Sequence, residues 1–338
     1  MIAVNWSSVK NLLIAILVAA NLFLVFNIVR QDRTRAYISE SELHDAIELL
    51  DARGYSVSAD TVPMKKFKAP VFESRYGDEY YTDVAEALAA SEREMLFTLP
   101  SGGISISTKN GAWMEFDNEF DFRYSAFDNP NTAAYTEITA DTFAGKSGSE
   151  GTLGTAKMKS LSSSATNFLC KLQDSDSELS AKITGGFIGS DGYTYILAEQ
   201  YLGEYKVYSH YAVCVFEGDK LIFAHGRWYF SKTNEDYSTE LCDQINILFS
   251  DMATLKSMSA SAYTAEDDGE AVSGAPNTSA DAQEIKLSAV SAITPCYAVY
   301  WNSNKTALYF IPAWQIDHID SLTIVYNATN ATVYSSTK

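Results

Sequence analysis

Nineteen consecutive residues near the amino terminus, Asn11 to Val29 (NLLIAILVAANLFLVFNIV), carry no charge. A helix of that length covers about 30 Å of hydrocarbon and satisfies its own backbone hydrogen bonds, which a membrane interior requires. Lys10 and Arg30 bracket the run, and Trp6 stands where an interfacial aromatic belongs. The run closes on Phe26-Asn27-Ile28-Val29-Arg30, without the small-x-small site at which a signal peptide is cut, and no cysteine follows for lipid attachment. The sequence therefore predicts an uncleaved single-pass anchor over residues 11–29, behind a stub of residues 1–10. Charge does not orient it, because the amino terminus and Lys10 oppose Arg30, Arg33 and Arg35. Inside the span, Ala15 and Ala19 form a small-xxx-small pair, and Asn21 places an amide at mid-membrane. Both are devices by which one membrane helix packs on another. At 100° per residue Asn21 lies about 140° around the helix from the alanine pair, so the two features address different neighbours.

The chain has 338 residues, of which 46% are hydrophobic, so the part beyond the anchor can bury a core. Its 21 Tyr and 17 Phe favour strands. A net charge of −18 repels phosphate backbones and excludes nucleic acid as an expected partner. Cys170, Cys214, Cys242 and Cys296 are isolated, with no C-x-x-C pair, which gives no zinc or redox motif.

Ser39 to Glu42 has the form of a capping box, and Leu43, Ala46, Ile47 and Leu50 then fall on one helical face before Gly54. A second helix is expected from Tyr80 to Glu92, and antiparallel strands from Met95 to Phe127. Gly145 to Thr155 reads as a Gly/Ser-rich connection, followed by a helix over Ala156–Leu172. Then comes a strand meander, Tyr193–Tyr201, Lys206–Phe216 and Lys220–Phe230, turned at Gly203-Glu204 and Glu217-Gly218-Asp219. Ser238–Lys256 is expected to be helical, with Leu241, Ile245 and Phe249 in register. Residues 257–283 read as a flexible acidic linker, and three or four more strands follow between Ile285 and Tyr334. The expected class is α+β, with antiparallel meanders and helices packed on one face. The expected regions beyond the anchor are 30–150, 151–256, the linker 257–283, and a strand-rich 284–338.

Chemistry-bearing patterns are sparse. Gly145-Lys146-Ser147 matches the end of a phosphate-binding loop, but the glycine required five residues earlier is Ala140 and no apolar strand leads in. The four histidines are His44, His210, His225 and His318; Asp317-His318-Ile319-Asp320 reads as a solvated turn, and His210 and His225 as ordinary sheet residues. No G-x-S-x-G is present. No catalytic, cofactor-binding or metal-ligating residue is singled out, no cofactor is expected, and the chain does not read as an enzyme.

Asn5-Trp6-Ser7-Ser8-Val9-Lys10, followed at once by one apolar helix, resembles the amino terminus of the YycI/YycH regulatory proteins of Gram-positive bacteria. So do the capped helix Glu40–Gly54, the meander Tyr193–Phe230 and Phe310-Ile311-Pro312-Ala313-Trp314, in that order along nearly the whole chain, closer to YycI. Met1–Val4 precede the family's usual start, and the acidic linker is longer than expected. The resemblance implies a helix in the cytoplasmic membrane and a domain outside the cytoplasm. It also implies partners, a WalK-type sensor histidine kinase and a YycH-like protein, contacted largely through membrane helices, and an effect on cell-wall metabolism. The alternative is an anchored binding module for cell-wall fragments or a peptide, with no kinase partner.

Overall fold

The computed structural model describes residues 17, 18, 21, 23, 36–75, 84, 93–98, 103–109, 111–117, 120–126, 138–147, 151–172, 178–230, 233–265, 287–304 and 306–337. Its described elements make a sheet-rich α+β fold. In chain order they begin with helix α1 (Glu40–Asp51) and strands β1 (Val71–Arg75), β2 (Arg93–Thr98), β3 (Ile104–Thr108), β4 (Trp113–Phe116) and β5 (Asp121–Ser125). Helix α2 (Ala140–Ser147), strand β6 (Gly151–Thr152) and helix α3 (Thr155–Leu172) lead into β7 (Leu179–Ile188), β8 (Thr194–Leu202), β9 (Tyr205–Glu217), β10 (Lys220–Arg227) and β11 (Asn234–Tyr237). Helix α4 (Gln244–Ala265) precedes β12 (Val290–Trp301), β13 (Ala307–His318), β14 (Thr323–Asn327) and β15 (Val333–Thr337).

The chain divides into two compact units, each assembled from separate stretches. The first contains residues 1–68, 241–294 and 314–338; the second contains 69–240 and 295–313. The region 30–150 thus supplies residues 30–68 to the first unit and 69–150 to the second, and 151–256 and 284–338 are likewise shared. Strands β12 and β13, a hairpin closed by Asn302 N–H to Ala307 C=O at 3.0 Å, contribute to both.

In the first unit α1 starts where the Ser39 hydroxyl accepts the Glu42 N–H at 3.2 Å, as the capping box predicts. It buries Leu43, Ala46 and Leu50 and packs against α4, and Gly54 leaves it at φ +78°. Helix α4 departs from expectation at both ends. It begins at Gln244 rather than Ser238, with the Asp243 carboxylate accepting the Asn246 N–H at 3.0 Å. Along it Ser250, Thr254 and Ser259 turn their hydroxyls onto the carbonyls four residues back. The helix continues through 257–265, where a linker is expected; 266–286 lie outside the described residues. Its buried face is Ile247, Leu248, Met252 and Leu255 rather than Leu241, Ile245 and Phe249.

In the second unit the strands run in the order β11-β1-β13-β12-β9-β10-β5-β4-β3-β2, with β8, β7 and β6 continuing from β9. The predicted meander is β8-β9-β10, turned at Gly203 (φ +58°) and Gly218 (φ +62°). One pairing is parallel, β12 on β9, with Cys296 opposite Lys206. The core packs Phe143 of α2 against Phe187, Tyr195, Val213, Val215 and Phe223. Gly145-Lys146-Ser147 end α2 instead of forming a loop, because Thr139 opens that helix by bonding Thr142. Of the helix expected over Tyr80–Glu92, all but Val84 lies outside the described residues.

Candidate functional site

Two groups of polar side chains stand out, one in each unit. The second unit carries an open cleft of about 460 Å³, within the size range of small-ligand sites. Residues opposite each other on neighbouring strands share a sheet face. The registers therefore place Glu115 of β4, Arg123 of β5 and His225 of β10 in one row. A second row holds Asp121, Arg227 and, on β9, Tyr211. Thr139, at the start of α2, forms part of the wall. Arg227 grips the Asp121 carboxylate with two hydrogen bonds of 3.1 and 3.0 Å, so that charge is already neutralised. His225 lies 2.8 Å from the Ile138 carbonyl through Nε2. A carbonyl only accepts, so Nε2 carries the proton.

Glycine is required in this floor. At Gly226 (φ +146°) a Cβ would lie 2.1 Å from the Tyr211 carbonyl oxygen. In the same unit His210 is buried. Its Nδ1 donates to the Gln200 side-chain oxygen at 2.9 Å, and the same amide accepts the Tyr229 N–H at 3.1 Å and donates to the Tyr229 carbonyl. Burial, with the nearby Arg227 charge, pushes the His210 pKa down to about 3, so the ring is neutral.

The first unit holds a buried network around Asp251 of α4. One carboxylate oxygen accepts the Tyr55 hydroxyl at 2.7 Å, and the other accepts the Tyr326 hydroxyl at 2.8 Å. His318, the last residue of β13, brings Nε2 to 3.4 Å from Asp251, and neither side chain has any exposure. Burial, reinforced by the Asp251 charge, pushes both phenols well above their ordinary range, so they remain donors. At His318 burial disfavours the charged ring, but the Asp251 carboxylate and, further down, Asp320 outweigh it, and the pKa is raised. Three side chains, one from the segment after α1 and one each from β13 and β14, converge on one carboxylate of α4.

No family model matches the chain, and no curated protein sequence does.

Of the residues singled out for helix contacts, Ala15 and Ala19 lie outside the described residues. Asn21 is helical and exposed, as are Leu17 (65% exposed), Val18 and Phe23 (66%). Among the described residues no helix is long and apolar enough to cross a membrane; most of Asn11–Val29 is not among them. The solvated-turn reading of Asp317-His318-Ile319-Asp320 is corrected: His318 is buried, although Ile319 and Asp320 are exposed. The signal was the strand period, since Trp314, Ile316 and His318 alternate on the buried face of β13. His210 and His225 each hold a partner of their own, Gln200 and Ile138. His44 is exposed on α1. All four cysteines are free thiols, Cys214 and Cys296 buried and Cys170 exposed.

Proposed function

We propose that this chain is a membrane-anchored regulatory protein of the YycI/YycH kind. Residues 11–29 hold it in the cytoplasmic membrane, with the chain from residue 30 onward outside the cytoplasm in antiparallel meanders and covering helices. It modulates a WalK-type sensor histidine kinase controlling cell-wall metabolism, together with a YycH-like partner, by biasing a conformational equilibrium of the kinase. The observation that carries this reading is the uncharged run Asn11–Val29, whose described residues Leu17, Val18 and Phe23 turn their apolar side chains outward on a helix. Large apolar side chains grouped on an exposed helix need a covering, and lipid or a partner helix supplies it. The ordered resemblance along the chain supplies the kinase.

The test is a helix swap in the native host. Residues 11–29 are replaced by an unrelated membrane helix of equal length, export is checked, and kinase co-purification is read with a wall-regulon reporter. Loss of both signals from an exported, folded protein supports recognition through the anchor; retention of both refutes it. In that event the alternative, an anchored module binding cell-wall fragments or a peptide, is favoured by the 460 Å³ cleft with charges of both signs. Titration of the full chain with a purified muropeptide then tests that alternative.

A further inference from the structure

The Asp251 network does work that neither reading of function uses. The buried Asp251 carboxylate accepts one phenol on each oxygen, which fixes its position and leaves a lone pair on each for a further donor. His318 stands against one of those oxygens at 3.4 Å, longer than the 2.7–3.2 Å of a normal N–H···O bond, and the Ser288 backbone also favours the charged ring. What joins His318 to Asp251 is therefore mainly charge, and that charge exists only when the imidazole is protonated. The ionisable group facing the ring among the described residues is Asp251 from α4, and the phenols of Tyr326 from β14 and Tyr55 from the segment after α1 are bonded to that carboxylate. Asp320 lies beyond, in the turn after β13. Both phenols remain protonated, so their charge does not change in the range where imidazole titrates. No cation is among the groups acting on His318.

We infer that His318 and Asp251 form a pH-responsive latch in the first unit, closing α4 against β13 and β14 when His318 carries a proton and releasing them when it does not. The raised pKa at His318 agrees with this sense. The sign follows from linkage: a proton bound more tightly in the folded state stabilises that state below the ordinary histidine pKa, and this contribution disappears as pH rises through the folded value. Each unit by which the ring's pKa exceeds the ordinary value is about a tenfold change in the opening equilibrium. The inference stands whether or not the kinase reading holds.

Hydrogen exchange of the full chain in detergent, corrected for intrinsic rates, reads opening of α4, β13 and β14 directly. Between pH 5.5 and pH 9 (an experimental range of about 3.5 units spanning the ordinary histidine value), wild-type protection in these segments should fall, by about tenfold for each unit by which the folded ring's pKa exceeds the ordinary value. In His318→Gln it should be low and flat with pH. An equal pH slope in the two proteins would overturn the latch. Should the variant fail to fold, ring-labelled histidine NMR of the wild-type chain decides. A buried imidazole protonated at pH 6.5 and titrating above it supports the latch; one neutral at pH 6 refutes it.

Discussion

Gln200 offers the sharpest test of how the second unit is held. Its side chain is fully buried and makes three hydrogen bonds, to the Tyr229 N–H, the Tyr229 carbonyl and His210 Nδ1. Strand β10 ends at Arg227, so for Tyr229 the amide takes the place of a neighbouring strand. Gln200→Leu keeps the approximate volume while removing all three bonds. Leaving a buried donor or acceptor unsatisfied costs about 1–3 kcal/mol, and the leucine regains part of this by burying no amide of its own. The expected loss is about 3–5 kcal/mol, a large fraction of a typical domain's stability. His210→Leu should cost less alone, and the double variant less than the sum by about 1–2 kcal/mol, because the ring no longer has a lost partner. Urea unfolding of the full chain, with hydrogen exchange over 194–230 to localise the effect, measures both. A loss in Gln200→Leu below about 1 kcal/mol, or strict additivity in the double variant, would refute the idea that this amide substitutes for a strand.

Two further outcomes follow from burial. His210 titrates near 3 when folded and near 6.5 when unfolded, so its contribution to stability is intact above about pH 6.5 and is lost as pH falls toward 3. At pH 5 the loss is about 2 kcal/mol, and the acid limb of a stability–pH profile should flatten in His210→Leu; an unchanged limb would contradict it. Burial also pushes the Cys214 thiol up to about 12. In the native chain a thiolate-specific reagent should therefore label exposed Cys170 and leave Cys214 and Cys296 unmodified until urea is added, and mass spectrometry of labelled peptides would expose any reversal.

How much of this was legible beforehand depends on whether a pattern was local. The capped helix at Ser39, the meander and its two glycine turns are set by residues a few positions apart, and they appear where the sequence places them, except that the third strand, expected to reach Phe230, ends at Arg227. Helix α4 begins at Gln244 rather than at Ser238, where the sequence places it, because the Asp243 carboxylate accepts the Asn246 N–H and sets the start there. The buried Asp251 left a signal that went unread: an acid in line with Ile247, Leu248, Met252 and Leu255 implies a partner inside. Its partners, Tyr55, His318 and Tyr326, lie up to 196 residues away, and no spacing rule reaches that far. The cleft was illegible for the same reason, since Glu115, Arg123 and His225 meet through strand register.

The two buried histidines titrate in opposite senses, and the opposition follows from what faces each ring. His210 meets a neutral amide and, nearby, the Arg227 guanidinium, so nothing offsets the cost of charging a buried imidazole. His318 meets a carboxylate that is itself held in place by two phenols, so the same burial is outweighed. Acid therefore weakens the second unit, whereas alkali loosens the first. Because His210 is fully effective only above the ordinary histidine value and His318 only below it, both contributions stand near their best around pH 6.5. A shift of one pH unit to either side acts on a different unit. Exchange measured separately for peptides of the two units, in one pH series on one protein, should show protection profiles leaning in opposite directions. Profiles leaning the same way would mean that at least one ring is governed by something other than the groups seen against it.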